Sequence, residues 1–512
     1  MDEQSNISNL ASTHTESTHL LVSPSLSSSV TKSPCRNNNP TSSDDNNHHS
    51  MGHDNFSGTA TKGATILNIM KTCMGTGTLA LPFACQQGGI LLNTFGLLAI
   101  ASWNLYSVQR LCQSWHYLPS SSVGLVSSSS LSSRENHTVI DYDEDTSKWY
   151  AASTVQTKAT NRFGSTNLSF EDIPSNISTF GKVAWLAFGD IGIHGLDIVL
   201  VILFLGIIVA YEDAVLGFIQ DTPFTSGYKL VDAIVMAVIV GTLSLVPDMG
   251  YLAKASASGL FVLGVIFIIL ATYSFTSKDN QETSAYDTQM TFPWDYLWPQ
   301  DNMSGISNWF GCVVFGFGVV PLTYNFQESM SRPQELTHAT AVALLGVAVS
   351  YIVLGCGLLA LYYPVQGDIL EQFPTQGILP LVVRLSMIVV IVLTSPLLVL
   401  PCGKILEEKL SMLSPSFHNH KLMQAIMRYG LCTICAIISV FIPGFVYILS
   451  FVGCFSVALV GFVIPPMIHI SLVMKYHPSP KPIGQLCLDV AMLLWGIAAT
   501  IISSLYTFRK LF

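Results

Sequence analysis

The chain has 512 residues, half of them hydrophobic and only 11% charged, and its mean hydropathy is +0.49. Soluble globular chains carry about 25% charged residues, so this composition is that of an integral membrane protein. A net charge of −9 excludes the basic footprint of a nucleic-acid binder.

Residues 1–62 are rich in Ser, Thr, Asn and His, with Phe56 as their single aromatic. Such a segment cannot bury enough surface to offset its ordering entropy and is expected to be a disordered tail. Its "NNHH" at 46–49 reads as a solvated polar tract before a metal site. No secretory signal peptide precedes the first apolar span.

Eleven apolar runs follow, each long enough to cross about 30 Å of hydrocarbon: 64–84, 88–112, 195–219, 229–247, 254–275, 304–330, 338–363, 377–401, 424–443, 445–474 and 485–508. Between the second and third lies a polar insert, 113–182, expected to be disordered and to end in an interfacial helix around Phe180–Phe188. Its sequons at Asn136, Asn167 and Asn176 read as chance in a Ser/Thr-rich stretch. The short loops 402–423 and 475–484 are basic, whereas 364–376 carries Asp368 and Glu371 and no cation. Positive charge marks the cytoplasmic side, which places the N-terminus there. The cysteines fall mostly within apolar runs and form no disulfide framework; Cys432 and Cys435 make a C-x-x-C in mid-span, where packing is the simpler reading.

The first span holds "KTCMGTGTLALPFACQQGG", residues 71–89, in which Gly75 and Gly77 flank Thr76 and Pro82 follows. Five spans later, "FGFGVVP" at 315–321 repeats the Gly-x-Gly with a proline close behind. Glycines can merely allow close helix packing. A matched pair five spans apart points instead to two discontinuous helices in inverted repeats. Repeat one is then 64–275, repeat two 304–474, and 485–508 an extra helix. A break at Gly75–Gly77 offers N–H groups to a carboxylate at the start of the outer half-helix, where the dipole is positive. The inner half-helix ends in carbonyls near Cys73 and Met74, which can accept from an ammonium. One break therefore suits both ends of an amino acid.

These residues resemble the amino acid/auxin permease family. "GTGTLALPFACQQGG" is similar to its first-span signature. "ESMSRPQEL" at 328–336, "LTSPLLVLPC" at 393–402 and "GCFSVALVGFVIPP" at 453–466 resemble what it carries after its sixth, within its eighth and within its tenth spans. The likeness covers about residues 63–508. It implies an all-α membrane protein of the LeuT type, eleven helices in a five-plus-five inverted repeat with helices 1 and 6 discontinuous. It also implies secondary active transport of amino acids without a cofactor, by members resident in the plasma membrane or in a vacuolar or lysosomal one.

The expected substrate contacts are Cys73, Met74, Gly75, Thr76, Gly77, Phe315, Gly316, Phe317, Gly318 and Tyr211. Family members often place Glu or His at the sixth-span break, where this chain has Gly316, Phe317 and Gly318, which favours neutral substrates. Phe317 either walls the pocket or packs behind it.

Ion coupling falls on Lys71, Thr394, Ser395, Glu212 and Asp213. A lysine at the centre of a span costs about 2.5–3.5 kcal/mol. Lys71 either snorkels to the interface or meets the carbonyls that end the inner half-helix. The family's sodium-coupled branch tends to carry Asn at this position as an ion ligand, and its proton-coupled members resemble this chain in carrying Lys. Thr394 resembles the partner ion ligand and is retained. The histidine of some proton-coupled members, three residues earlier, is Asn68 here. The lysine favours proton-linked, sodium-independent transport, with a sodium-coupled carrier and an amino acid sensor as the competing readings. Glu212 and Asp213 are either relay groups or acids hydrated in an outer vestibule. Arg384 is expected to face water, Glu328 to pair with Arg332, and His469 to be structural. No H-E-x-x-H, G-x-S-x-G, Walker A or Rossmann pattern supports an enzyme.

Overall fold

Thr61 opens the first helix: its side chain accepts from the Ala64 N–H, satisfying one of the donors that a helix start leaves free. A computed structural model describes residues 58–118, 177–245, 249–279, 297–299, 302–365, 367–413, 421–442, 444–477 and 480–511. The tail through residue 57, the stretch 119–176 and the three sequons lie outside them.

The described chain is helical. In order it forms α1 (Lys62–Cys73), α2 (Leu81–Trp115), α3 (Thr179–Phe188), α4 (Asp190–Gln220), α5 (Lys229–Leu243), α6 (Met249–Asp279) and α7 (Asn302–Gly316). Then come α8 (Thr323–Ser329), α9 (Leu336–Tyr362), α10 (Ile378–Thr394), α11 (Pro396–Leu413), α12 (Lys421–Phe441), α13 (Phe445–Val452), α14 (Ile464–Tyr476) and α15 (Ile483–Leu511). The only pairing outside helices among the described residues is a single bridge, Ala60 to Met330.

Among the described residues nine helices are long and apolar enough to cross a membrane, against the eleven spans expected, and two features account for the difference. Helix α5 has only 15 residues, about 22 Å at 1.5 Å per residue. Helix α2 holds parts of two spans, divided at Gly89, whose φ of 76° breaks the helical geometry. A Cβ on Gly89 would lie 2.6 Å from the Trp298 backbone, so the turn accepts glycine alone.

The expected interfacial helix is α3, capped by Ser178. Its aromatic face is buried, with Phe180 against Tyr324, and Thr179 donates a hydrogen bond to Glu328. Glu328 therefore does not pair with Arg332 as expected; Arg332 turns to Glu335, 3.3 Å away.

The tenth span departs from α geometry. "GCFSV" and "LVGFV" wind as π-helical turns between α13 and α14. They lie against α7 so closely that a Cβ on Gly453 would sit 1.9 Å from the Gly311 carbonyl. Further along, His469 of α14 and Arg110 of α2 meet Asp489 of α15. Asp489 is fully buried, with His469 Nδ1 at 2.7 Å and Arg110 Nε at 2.7 Å, and the Tyr106 hydroxyl donates to it. A buried charge persists only when paired, and this one ties the extra helix to the rest.

Candidate functional site

Both suspected breaks are present. The first span winds as α1 to Cys73 and leaves helical geometry at Met74 and Gly75. It resumes as the tight turn Thr76–Ala80, which runs into α2. The sixth ends α7 at Gly316, is irregular over 317–319, and resumes through the turn Val320–Leu322 into α8. Pro82 and Pro321 stand within the first two residues of the resumed helical segments, where a missing N–H is no loss.

Tyr351 joins the two breaks. It stands on α9, fully buried, and its hydroxyl donates to the Cys73 carbonyl at 2.6 Å and lies 3.0 Å from the Gly316 carbonyl. One proton thus serves the carbonyl ends of α1 and α7, the half-helices that precede the two breaks. The Cys73 carbonyl, expected to be open to an ammonium, is already taken by this hydroxyl and by the Gly75 N–H at 2.9 Å, so only the Gly316 carbonyl keeps a second lone pair. Phe317 is fully buried and packs on the Tyr351 ring, centroids 5.3 Å apart, so it lies behind the break. Phe315 is the half-exposed aromatic instead, 3.0 Å from where a Cβ on Gly77 would sit.

Thr76 and Gly77 begin their turn, so their N–H groups point out of its first end. Thr76 Oγ1 is buried with no hydrogen-bond partner in the structure. Tyr211 of α4 faces it, its hydroxyl 3.9 Å from a Cβ built on Gly75. Tyr211, Thr76 and Phe315 therefore converge at the first break, with Gly316 and Gly318 in the adjoining strand of the second.

The coupling candidates are spread out. Lys71 lies half-buried in the last turn of α1, beside the first break. Thr394 and Ser395 occupy the α10–α11 junction, where their hydroxyls donate back to Val390 and Ile391 at 2.7 and 2.8 Å. Glu212 and Asp213 part company. Glu212 is 3% exposed, facing Cys432 and Cys435 of α12 rather than a hydrated vestibule. Asp213 does face a cavity, about 150 Å³, shared with Lys229, Asp368 and Glu371.

The segment after α9 covers the first break from this side. Its short turn Ile369–Gln372 packs against Thr76–Ala80, and Gln86 accepts from the Val365 N–H at 2.7 Å. Arg384 holds the segment down. It is 1% exposed, against the expectation that it faces water. It donates to the carbonyls of Pro374 and Phe373 at 2.8 Å and approaches Asp221 at 3.3 Å. Asp368 accepts from the N–H groups of Leu370 and Glu371. Burial, and then the charge of Glu371, push its carboxyl up to about 7. Nothing in the local sequence marked Tyr351, which acts 278 residues away, and Arg384 stood out only as a cation within a span, not for the loop it holds.

Comparison with known proteins adds a family. The profile described as "Transmembrane amino acid transporter protein" matches residues 58–128 and 164–509. A yeast protein (Saccharomyces cerevisiae), "Vacuolar amino acid transporter 3", is 25% identical over 50% of this chain and 37% of its own length. A zebrafish protein (Danio rerio), "Sodium-coupled neutral amino acid symporter 2", is 21% identical over 82% of this chain and 77% of its own. Among solved structures, MhsT in complex with L-phenylalanine aligns with 88% of this chain and 99% of its own at a TM-score of 0.45 and 14% identity. The family match covers most of the helical region and both breaks, and the relatives are transporters rather than enzymes: this chain belongs to the transmembrane amino acid transporter family.

Proposed function

We propose that the protein carries neutral amino acids across its membrane, driven by a proton gradient and independent of sodium, with its N-terminus in the cytoplasm. The observation that carries this reading is the pair of helix breaks bridged by Tyr351. The substrate carboxylate meets the N–H groups of Thr76 and Gly77 and the Tyr211 hydroxyl. The ammonium meets the second lone pair of the Gly316 carbonyl. The substrate side chain lies against Phe315. No charged side chain stands among residues 315–318, which supports a neutral substrate. Lys71, beside the break, supports sodium independence, because an ammonium repels a second cation at short range.

The competing sodium-coupled reading draws on the name of the zebrafish relative and on Thr394. Uptake by the full chain in proteoliposomes decides between them. Uptake of labelled neutral amino acids is expected to rise with an imposed pH gradient and to be unchanged when choline replaces sodium. Lys71→Met should impair it, and Thr76→Trp should abolish it in a folded protein. Uptake that collapses in choline at constant pH would overturn the proton-linked reading. Binding without accumulation would identify a sensor.

A further inference from the structure

The described buried carboxylates are Glu212, Asp232, Asp368 and Asp489, and three of them are well supplied with donors. Asp232 accepts from the Thr225 hydroxyl and the Ser226 N–H. Asp368 accepts from two N–H groups of its own loop, and Asp489 holds Arg110, His469 and Tyr106. Glu212 stands apart. It is 3% exposed, and its Oε1 is buried with no hydrogen-bond partner.

The titratable groups facing Glu212 are thiols: Cys432 and Cys435 on α12, which adjoin Cys402 on α11. Tyr211 and Asp213 flank it on α4. Of the charged groups on the neighbouring helices, Lys404 is exposed and three others are engaged elsewhere. Arg428 bonds Glu407 and the Ser244 carbonyl, Lys409 pairs with Asp197, and Arg384 holds the loop and Asp221. Lys229 lies in the cavity with Asp213. A carboxylate without donors or a cation is expelled from such a site, whereas the protonated acid is tolerated.

We infer that Glu212 is the proton-carrying residue of the transport cycle, an assignment that rests on the proton-linked reading above. In the conformation described it holds one proton, taken from water, with α11 and α12 closed over it. Releasing that proton to water on the other side leaves a carboxylate that must be hydrated, so α4 has to part from α11 and α12. Tyr211, the preceding residue, forms the wall of the first break and moves with the same helix. Proton occupancy and the shape of the substrate site are thereby linked through one turn of α4.

The test uses the full chain in proteoliposomes with a tritium-labelled mixture of L-alanine, L-leucine and L-phenylalanine. Coupling to one proton allows up to about tenfold accumulation per unit of pH gradient. Glu212→Gln, which mimics the protonated acid, should lose that accumulation while counterflow exchange persists within about tenfold of the wild type. A Glu212→Gln carrier that still accumulates substrate with the gradient overturns the assignment. A wild type indifferent to the gradient overturns the proton-linked reading and the assignment with it. A second measurement needs no variant: dicyclohexylcarbodiimide adds to a protonated carboxyl in apolar surroundings and rearranges to an N-acylurea. Peptide mapping of the wild type should find this adduct on Glu212, fading as pH rises, and its absence from Glu212 overturns the inference.

Discussion

Tyr351 illustrates what a single side chain settles at this site. Its hydroxyl is the shared terminus of two interrupted helices, with carbonyls at 2.6 and 3.0 Å. Tyr351→Phe keeps the ring against Phe317 and removes the donor, leaving the Gly316 carbonyl without a partner while Cys73 keeps the Gly75 N–H. An unsatisfied buried polar group costs about 1–3 kcal/mol. The variant should therefore unfold at a measurably lower temperature in detergent, and its substrate affinity should fall about tenfold. A thermal-shift series with and without substrate separates the two effects, and an unchanged affinity would remove Tyr351 from the positioning of the breaks. Gly316 belongs to the same arrangement, since a Cβ there would press on the Tyr351 ring at 2.8 Å.

The element that closes the site is the segment between α9 and α10. Its backbone carbonyls are gathered by Arg384 and its short turn is capped by Asp368, so the segment is held by one buried cation and one buried acid. Arg384→Gln should release it: hydrogen exchange over 367–373 is expected to quicken by at least tenfold, the equivalent of about 1.4 kcal/mol. The sign of the pH effect follows from Asp368. Its carboxyl titrates near 7 in the closed segment, above the usual carboxylate value of about 4. The closed segment therefore binds a proton that the open one releases, and closure is favoured below about pH 4 and weakens as pH rises through 7. Exchange in the wild type should accordingly speed up between about pH 4 and 7, beyond the intrinsic rate increase, and gain nothing further above that. Protection that ignores both the substitution and pH would mean that the segment is held by something other than these two residues.

At the scale of the whole molecule, the charges near the span ends bear on orientation. The proposed orientation, with the N-terminus in the cytoplasm, rests on the basic short loops 402–423 and 475–484, and the structure commits two cations near the span ends to buried or half-buried partners. Arg110 is committed to buried Asp489, and Arg428 to Glu407, so neither is a free loop charge. The orientation then leans on the remaining lysines of 402–423 and 475–484. Single cysteines introduced at Ser120 and Ser284 should react with an impermeant reagent from opposite faces, with Ser284 labelled from outside. Labelling of both from one side would reject this topology.

Much of this was legible in the chain. Hydropathy alone identified the membrane helices, because in hydrocarbon the backbone can satisfy itself only as helix or closed barrel. The paired Gly-x-Gly motifs located both breaks, because glycine and proline act on the residues next to them. Span counting was less direct: the first two spans adjoin at a kink at Gly89 with no loop between them, and α5 is short. The π-helical turns of the tenth span carried no local signal.

Pairings across the chain lay beyond the sequence. That Tyr351 reaches Cys73 from 278 residues away, that Arg384 is spent on a loop, and that adjacent Glu212 and Asp213 face an apolar interface and a cavity of about 150 Å³ are all tertiary outcomes. Local motifs express what the backbone does within a turn or two. The environment of a side chain depends on which helix is packed against it, and a rotation of about 100° between neighbouring helical residues is enough to send two adjacent acids to opposite fates.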